Sequence, residues 1–115
     1  YCGVLGLPLL GELHFNDERG FRIAYLQFGN AFLELFAFSV PTIPHPWNPD
    51  ETMVGLKHIG LLVDDVDAVL ARLLAHNVPV IYPPNDAHGG VRTCFFADPD
   101  GNALELIDGT CDYDA

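Results

Sequence analysis

Two glutamates, Glu34 and Glu105, sit in nearly identical wording: "GNAFLEL" from Gly29 to Leu35 and "GNALEL" from Gly101 to Leu106. In an extended strand alternate side chains share a face, so Phe32, Glu34, Phe36 and Phe38 lie on one side and Ala31, Leu33, Leu35 and Ala37 on the other. Both sides are apolar, and a carboxylate buried there without a partner costs several kcal/mol. Glu105 is placed alike, with Ala103 and Ile107 on its face and Leu104 and Leu106 on the opposite one. Three arrangements answer that cost: a strand end that lets the glutamate reach water, an arginine partner such as Arg22 or Arg92, or a cation held by both carboxylates. Recurrence at equivalent positions of a repeated unit favours the shared site.

His58 adds a third group. It follows Lys57 in an otherwise apolar run, with Gly60 and Leu62 on its face. Imidazole with carboxylates suits Zn²⁺, Ni²⁺, Fe²⁺, Co²⁺ or Mn²⁺. A lone strand histidine is more often a hydrogen-bonded core residue; this one opens a module whose last strand carries Glu105, so neighbouring first and last strands would turn both into one cavity. Arg92, on a face with Cys94 and Phe96, is a candidate for a substrate carboxylate or phosphate, with Phe96 beside it. His88 lies in a Gly-rich loop, whereas His14, His45 and His76 read as surface or linker residues. Phe28, Phe36, Phe38, Phe95 and Phe96 are candidates for cavity lining or core, and Trp47 for packing against the sheet.

The elements that must hold these groups are legible. "GLKHIGLLV" (55–63) predicts a buried strand. In "DDVDAVLARLLAHN" the apolar residues Val66, Val69, Leu70, Leu73 and Leu74 recur with helical period, with Asp64 or Asp65 as cap. "VPVIYPP" (78–84) predicts a short strand ended by prolines, followed by strands over 91–97 and "ALELI" after the turn "DPDGN". The second half therefore spells βαβββ. The first half spells three strands, 7–15, 21–28 and 31–38, separated by "NDERG" and "GN".

The halves repeat. "GLPLL" aligns with "NVPVI" and "LEL" with "LEL" at one offset of 71 positions (6 to 77, 33 to 104). On that offset "YCGVLG" corresponds to the end of the helix, and the counterpart of His58 falls about fourteen positions ahead of Tyr1. The expected organisation is the later part of a first module over 1–39, a Pro-rich linker over 40–54, a second module over 55–108 and a tail over 109–115. The first strand and most of the first helix of the first module lie outside the chain as given.

A chain of 115 residues, half of them hydrophobic, has room for one modest core. Sixteen acidic against five basic residues give a net charge of −11, which argues against nucleic acid or an anionic membrane as partner. The absence of a long apolar run and of a basic, signal-like start makes a cytoplasmic protein the expectation. Cys2, Cys94 and Cys111 form neither an even set nor a CxxC motif, so plain thiols are expected.

"GLKHIGLLVDDVDAVLARLLAHNVPV" and "GGVRTCFFADPDGNALELID", with "YCGVLGLPLL" and "FGNAFLELF" as their first-module counterparts, resemble the vicinal oxygen chelate superfamily. That superfamily includes glyoxalase I, methylmalonyl-CoA epimerase, extradiol dioxygenases and the fosfomycin and bleomycin resistance proteins. The resemblance spans essentially the whole chain. It implies an α+β fold in which two βαβββ modules form a cupped mixed sheet around a divalent metal, held by the histidine of each first strand and the glutamate of each last strand. Carried over, His58, Glu34 and Glu105 match three of those four places. The implied activity is that of a metal-dependent lyase or isomerase of the glyoxalase or epimerase kind. Its small-molecule substrate would carry vicinal oxygens, and Glu34 or Glu105 would move a proton. The alternatives are an extradiol-type dioxygenase, which a second glutamate ligand fits less well, and a non-catalytic drug-binding protein. Modules of this kind pair between chains, so a homodimer is also implied.

Overall fold

The computed structural model describes residues 1–45 and 47–114; Pro46 of the expected linker and Ala115 of the tail lie outside the described residues. The chain divides into two compact units, Tyr1–Ile43 and Pro44–Ala115, with the boundary inside the proline-rich segment. The fold is α+β and dominated by strands.

The first unit is an antiparallel meander of β1 (Leu9–Phe15), β2 (Phe21–Phe28) and β3 (Ala31–Phe38), in the order β1-β2-β3. The β2–β3 hairpin closes on Gly29, whose φ of 60° is easy only for glycine at so tight a turn. At the β1–β2 corner the Asp17 carboxylate accepts the N–H groups of Arg19 and Gly20 and the Arg19 side chain, and the Arg19 bonds hold its pKa below the usual carboxylate range. Ahead of β1, "YCGVLG" forms a turn in which the Gly6 N–H donates to the Cys2 carbonyl and Gly6 takes φ 76°. Seventy-one positions later (6 to 77) Asn77 ends the helix of the second unit at φ 57°. Both are left-handed stops of the kind that terminates helices. Among the described residues the first unit has neither a first strand nor a helix of the second unit's kind.

The second unit runs β4 (Ile59–Leu62), α1 (Val66–Ala75), β5 (Val80–Asp86), β6 (Arg92–Ala97) and β7 (Ala103–Asp108). Its sheet has the order β4-β7-β6-β5, with β4 parallel to β7 and the other pairs antiparallel. The Asp65 carboxylate caps α1 by accepting the Ala68 N–H at 2.9 Å, and Asp108 at the end of β7 accepts the Val66 N–H at 2.9 Å. These two bonds fix where the helix starts. The helix lies on β6 and β7, and Val66, Leu73, Cys94, Phe96, Leu104 and Leu106 make a core with at most 2% exposure. Each large side chain among them contributes roughly 1.5–3 kcal/mol of burial. Burial also pushes the Cys94 thiol pKa up.

Three expectations need correcting. The strand expected over 55–63 shrinks to Ile59–Leu62, leaving His58 one residue ahead of it. β5 is not ended by its prolines: Pro83 and Pro84 lie within it, tolerated because β5 is an edge strand with a register shift between Tyr82 and Asn85. Leu74, assigned to the buried helical stripe, is 54% exposed.

Candidate functional site

Glu105 stands in the middle of a row running straight across the second sheet. Ladder pairing sets Tyr82 on β5 opposite Phe95, Phe95 on β6 opposite Glu105, and Glu105 on β7 opposite Gly60 on β4. All four occupy one face of the sheet; α1 covers the other. Gly60 puts no side chain beside the carboxylate, and a Cβ there would make only an ordinary contact, 3.8 Å from Glu105 Oε2.

His58 reaches the row from two residues before Gly60. Its Nε2 lies 3.1 Å from Glu105 Oε2, with 35% of the His58 side chain and 17% of the Glu105 side chain exposed. The His58 ring packs edge-on against Phe95 at 4.9 Å between centroids. The partner that the largely buried Glu105 requires is therefore His58. The spacing also fits a cation, because two donors each ~2.0–2.2 Å from one ion lie about 3.0 Å apart at a right angle and about 3.4 Å apart at a tetrahedral angle. An imidazole nitrogen and a carboxylate oxygen are together donors suited to a divalent metal such as Zn²⁺, Ni²⁺ or Fe²⁺. Among the described residues no group of three or more His, Cys, Asp or Glu side chains is close enough to hold such an ion.

Glu34 occupies the matching place in the first unit, opposite Tyr25 on β2, which is in turn opposite Gly11 on β1. Gly11 thus corresponds to Tyr82, Tyr25 to Phe95 and Glu34 to Glu105. The burial anticipated for Glu34 is not observed. Its strand is mostly exposed, because β3 is an edge strand with only β2 beside it among the described residues. Beside that row Leu10, Gly11, Glu12, Leu13, Tyr25 and Phe32 line a groove of about 330 Å³. The same face carries stacked rings: Phe15 on Phe21 at 4.5 Å and Phe21 on Phe38 at 5.2 Å, with Phe36 beside them.

Arg92 and Phe96 do not join the site. Strand alternation turns them, with Cys94, to the helix side. Arg92 there donates from Nε to Asp67 Oδ2 at 2.6 Å, from Nη2 to Asp67 Oδ1 at 3.0 Å and from Nη1 to Asp86 Oδ1 at 2.9 Å. These bonds hold the Asp67 pKa below the usual carboxylate range and raise that of Arg92. Phe96 is 2% exposed in the core under α1. The substrate-binding expectation for both is withdrawn, since one is committed to two carboxylates and the other is packed. Of the other phenylalanines considered, Phe36, Phe38 and Phe95 share a face with a glutamate, whereas Phe28 does not.

Sequence reasoning gave no site role to Tyr82, Trp47 or Lys57. Tyr82 meets Phe95 edge-on at 5.6 Å, and Trp47 meets Tyr82 edge-on at 6.1 Å, as its expected packing on the sheet requires. Lys57 donates from Nζ to the carbonyls of Asp50 and Met53, tying the Asn48–Met53 turn beside Trp47 to the residue next to His58. The lone lysine in an apolar run was the available signal.

The sequence model of the Glyoxalase/Bleomycin resistance protein/Dioxygenase superfamily matches residues 1–106. The chain is 35% identical over 108 residues to the uncharacterized protein YaeR of Escherichia coli K12, covering 94% of this chain and 81% of that protein. It is 30% identical over 114 residues to a probable lactoylglutathione lyase of Synechocystis, covering 93% and 80% of the two chains. Among solved structures, the trypanothione-dependent glyoxalase I of Leishmania major superimposes with a TM-score of 0.71 at 26% identity, covering 94% of this chain and 73% of that one.

Proposed function

Because the chain belongs to the Glyoxalase/Bleomycin resistance protein/Dioxygenase superfamily, we propose that it is a metal-dependent lyase or isomerase acting on a small substrate with vicinal oxygens. The observation that carries this reading is the 3.1 Å approach of His58 Nε2 to Glu105 Oε2 on an open sheet face. Similarity to a probable lactoylglutathione lyase and to a glyoxalase I supports the reaction class. His58 and Glu105 are the metal ligands in this reading, and Glu34 holds the corresponding place of the first unit. A divalent cation held there would supply Lewis-acid polarisation of the substrate oxygens. Glu105 or Glu34 accepts the proton from the adjacent carbon and returns it; Glu105, with 17% of its side chain exposed, is the one partly withdrawn from water, which suits a general base. His58 orients Glu105, and Phe95 beneath both excludes water from one side.

The working protein is proposed to be a cytoplasmic homodimer. Three free cysteines fit a reducing compartment, and the exposed phenylalanine face of the first unit fits a subunit contact. No helix among the described residues is long and apolar enough to cross a membrane. A second reading, a protein that binds an aromatic molecule without chemistry, is favoured by the ring row beside the two donors.

The test is metal content after dialysis against trace Zn²⁺ or Ni²⁺, compared for the wild type, His58→Ala and Glu105→Gln. Bound metal near one per site that falls at least tenfold in affinity in both variants supports the assignment, in line with the loss expected for an oriented ligand. Equal metal content in all three proteins rejects it.

A further inference from the structure

We propose that Trp47, Tyr82 and Phe95 form a subsite for an uncharged, planar aromatic substituent of the molecule whose oxygens are held at His58 and Glu105. The inference rests on the site reading above and adds the chemical class of the rest of the ligand.

The first argument is geometric. Phe95, Tyr82 and Trp47 continue outward from the His58–Glu105 pair, each ring nearly perpendicular to the next: 83° between His58 and Phe95, 82° between Tyr82 and Phe95, and 81° between Trp47 and Tyr82. Edge-to-face contacts leave right-angled corners in which a further flat ring can lie against one face and meet another edge-on, the arrangement aromatic pairs prefer. Tyr82 is 49% exposed, so its ring is available for such a contact. The shelf is also fixed in place. Lys57 anchors the turn after Trp47, and Tyr82 and Phe95 sit on paired strands.

The second argument is charge. The second unit contains three Lys or Arg residues: Lys57, Arg72 and Arg92. Lys57 is spent on two backbone carbonyls, Arg92 on Asp67 and Asp86 behind the sheet, and Arg72 lies in the last turn of α1 on that same far side. The row itself offers only Gly60, the Glu105 carboxylate and rings. A carboxylate or phosphate on the outer part of the ligand would find no Lys or Arg side chain of the second unit beside the rings and would leave water without a compensating partner. A neutral ring loses nothing by leaving water and gains the aromatic contacts.

Three hydroxamates separate the pieces, each presenting the same pair of vicinal oxygens: acetohydroxamate without a ring, benzohydroxamate with one, and 4-carboxybenzohydroxamate with a ring and a negative charge. Binding to the full chain saturated with Zn²⁺ is followed by calorimetry and by the emission of Trp47, the single tryptophan of the chain. The expected result is benzohydroxamate binding about tenfold tighter than acetohydroxamate, most of that gain lost in the carboxylated compound, and the benzo-to-aceto ratio collapsing toward one in Tyr82→Ala but surviving in Tyr82→Phe. Equal affinities of the first two compounds, a carboxylated compound that binds as well as the neutral one, or a ratio untouched by Tyr82→Ala overturns the subsite. Failure of acetohydroxamate to bind counts against the metal site, and benzyl alcohol, a ring without the chelating head, then decides the subsite alone. Saturable quenching of Trp47 that is lost in Tyr82→Ala supports it, and no saturable quenching overturns it.

Discussion

Tyr82 stands opposite Phe95, with ring centroids 5.6 Å apart, because the β5–β6 ladder slips by one residue: Val80 is paired with Phe96, but Tyr82 is paired with Phe95. Ile81 is the extra residue; in an unbroken ladder Tyr82 would pair with Cys94 and share the helix-facing side with Val80. Tyr82 covers one edge of Trp47, so Tyr82→Ala is expected to shift Trp47 emission to the red. Tyr82→Phe is expected to leave the emission unchanged. Fluorescence of the unliganded protein checks both, and an identical spectrum for Tyr82→Ala would remove Tyr82 from contact with the indole.

The two bonds between Asp67 and Arg92 join α1 to β6 and make a pH-dependent contribution to stability. The folded-state pKa of Asp67 is lowered, so its contribution is fully present above the ordinary carboxylate pKa and disappears as pH falls through the lower, folded value. Asp67→Asn is therefore expected to lower the melting temperature at pH 7. The gap to wild type closes as the pH drops below about 4. Thermal melts at a series of pH values test this, and a gap that widens on acidification contradicts it.

Leu106 is fully buried under α1, whereas Leu62 on β4 is 78% exposed. Leu106→Ala is expected to cost about 2–5 kcal/mol and Leu62→Ala less than about 0.5 kcal/mol. Denaturant titrations give both values, and similar costs would mean that the core does not lie beneath the helix.

The first unit exposes Phe32, Phe36 and Phe38 at 64%, 52% and 40% on the face that carries Glu34. If this face joins two copies, light scattering will show a dimer for the wild type and a monomer for Phe36→Glu, with the circular dichroism of the fold retained. A wild-type monomer at micromolar concentration rejects the dimer.

The hairpin strands Phe21–Phe28 and Ala31–Phe38, the helix with its Asp65 cap, and the repeat spacing that matches Glu34 to Glu105 are all legible in the sequence. They rest on local chemistry: glycine at the turn, aspartate at the cap, and apolar periods of two or 3.6 residues. His58 and Glu105 could be named as candidates for the same reason, since an imidazole and a carboxylate in apolar strands demand an explanation.

What only the tertiary structure decided depends on pairing between strands distant in sequence. The parallel β4–β7 register brings His58 to Glu105. Alternation on β6 turns Arg92 and Phe96 away to the helix, and the position of β3 at a sheet edge leaves Glu34 exposed rather than buried. A one-residue slip at Ile81 moves Tyr82 from the core side to the site. A matching slip between Leu9 and Gly11 in the first unit puts a glycine, one of the residues lining the groove, in the corresponding place. Side-chain direction in a sheet has a period of two, so a single unpaired residue reverses every face assignment beyond it, and composition carries no record of where that residue falls.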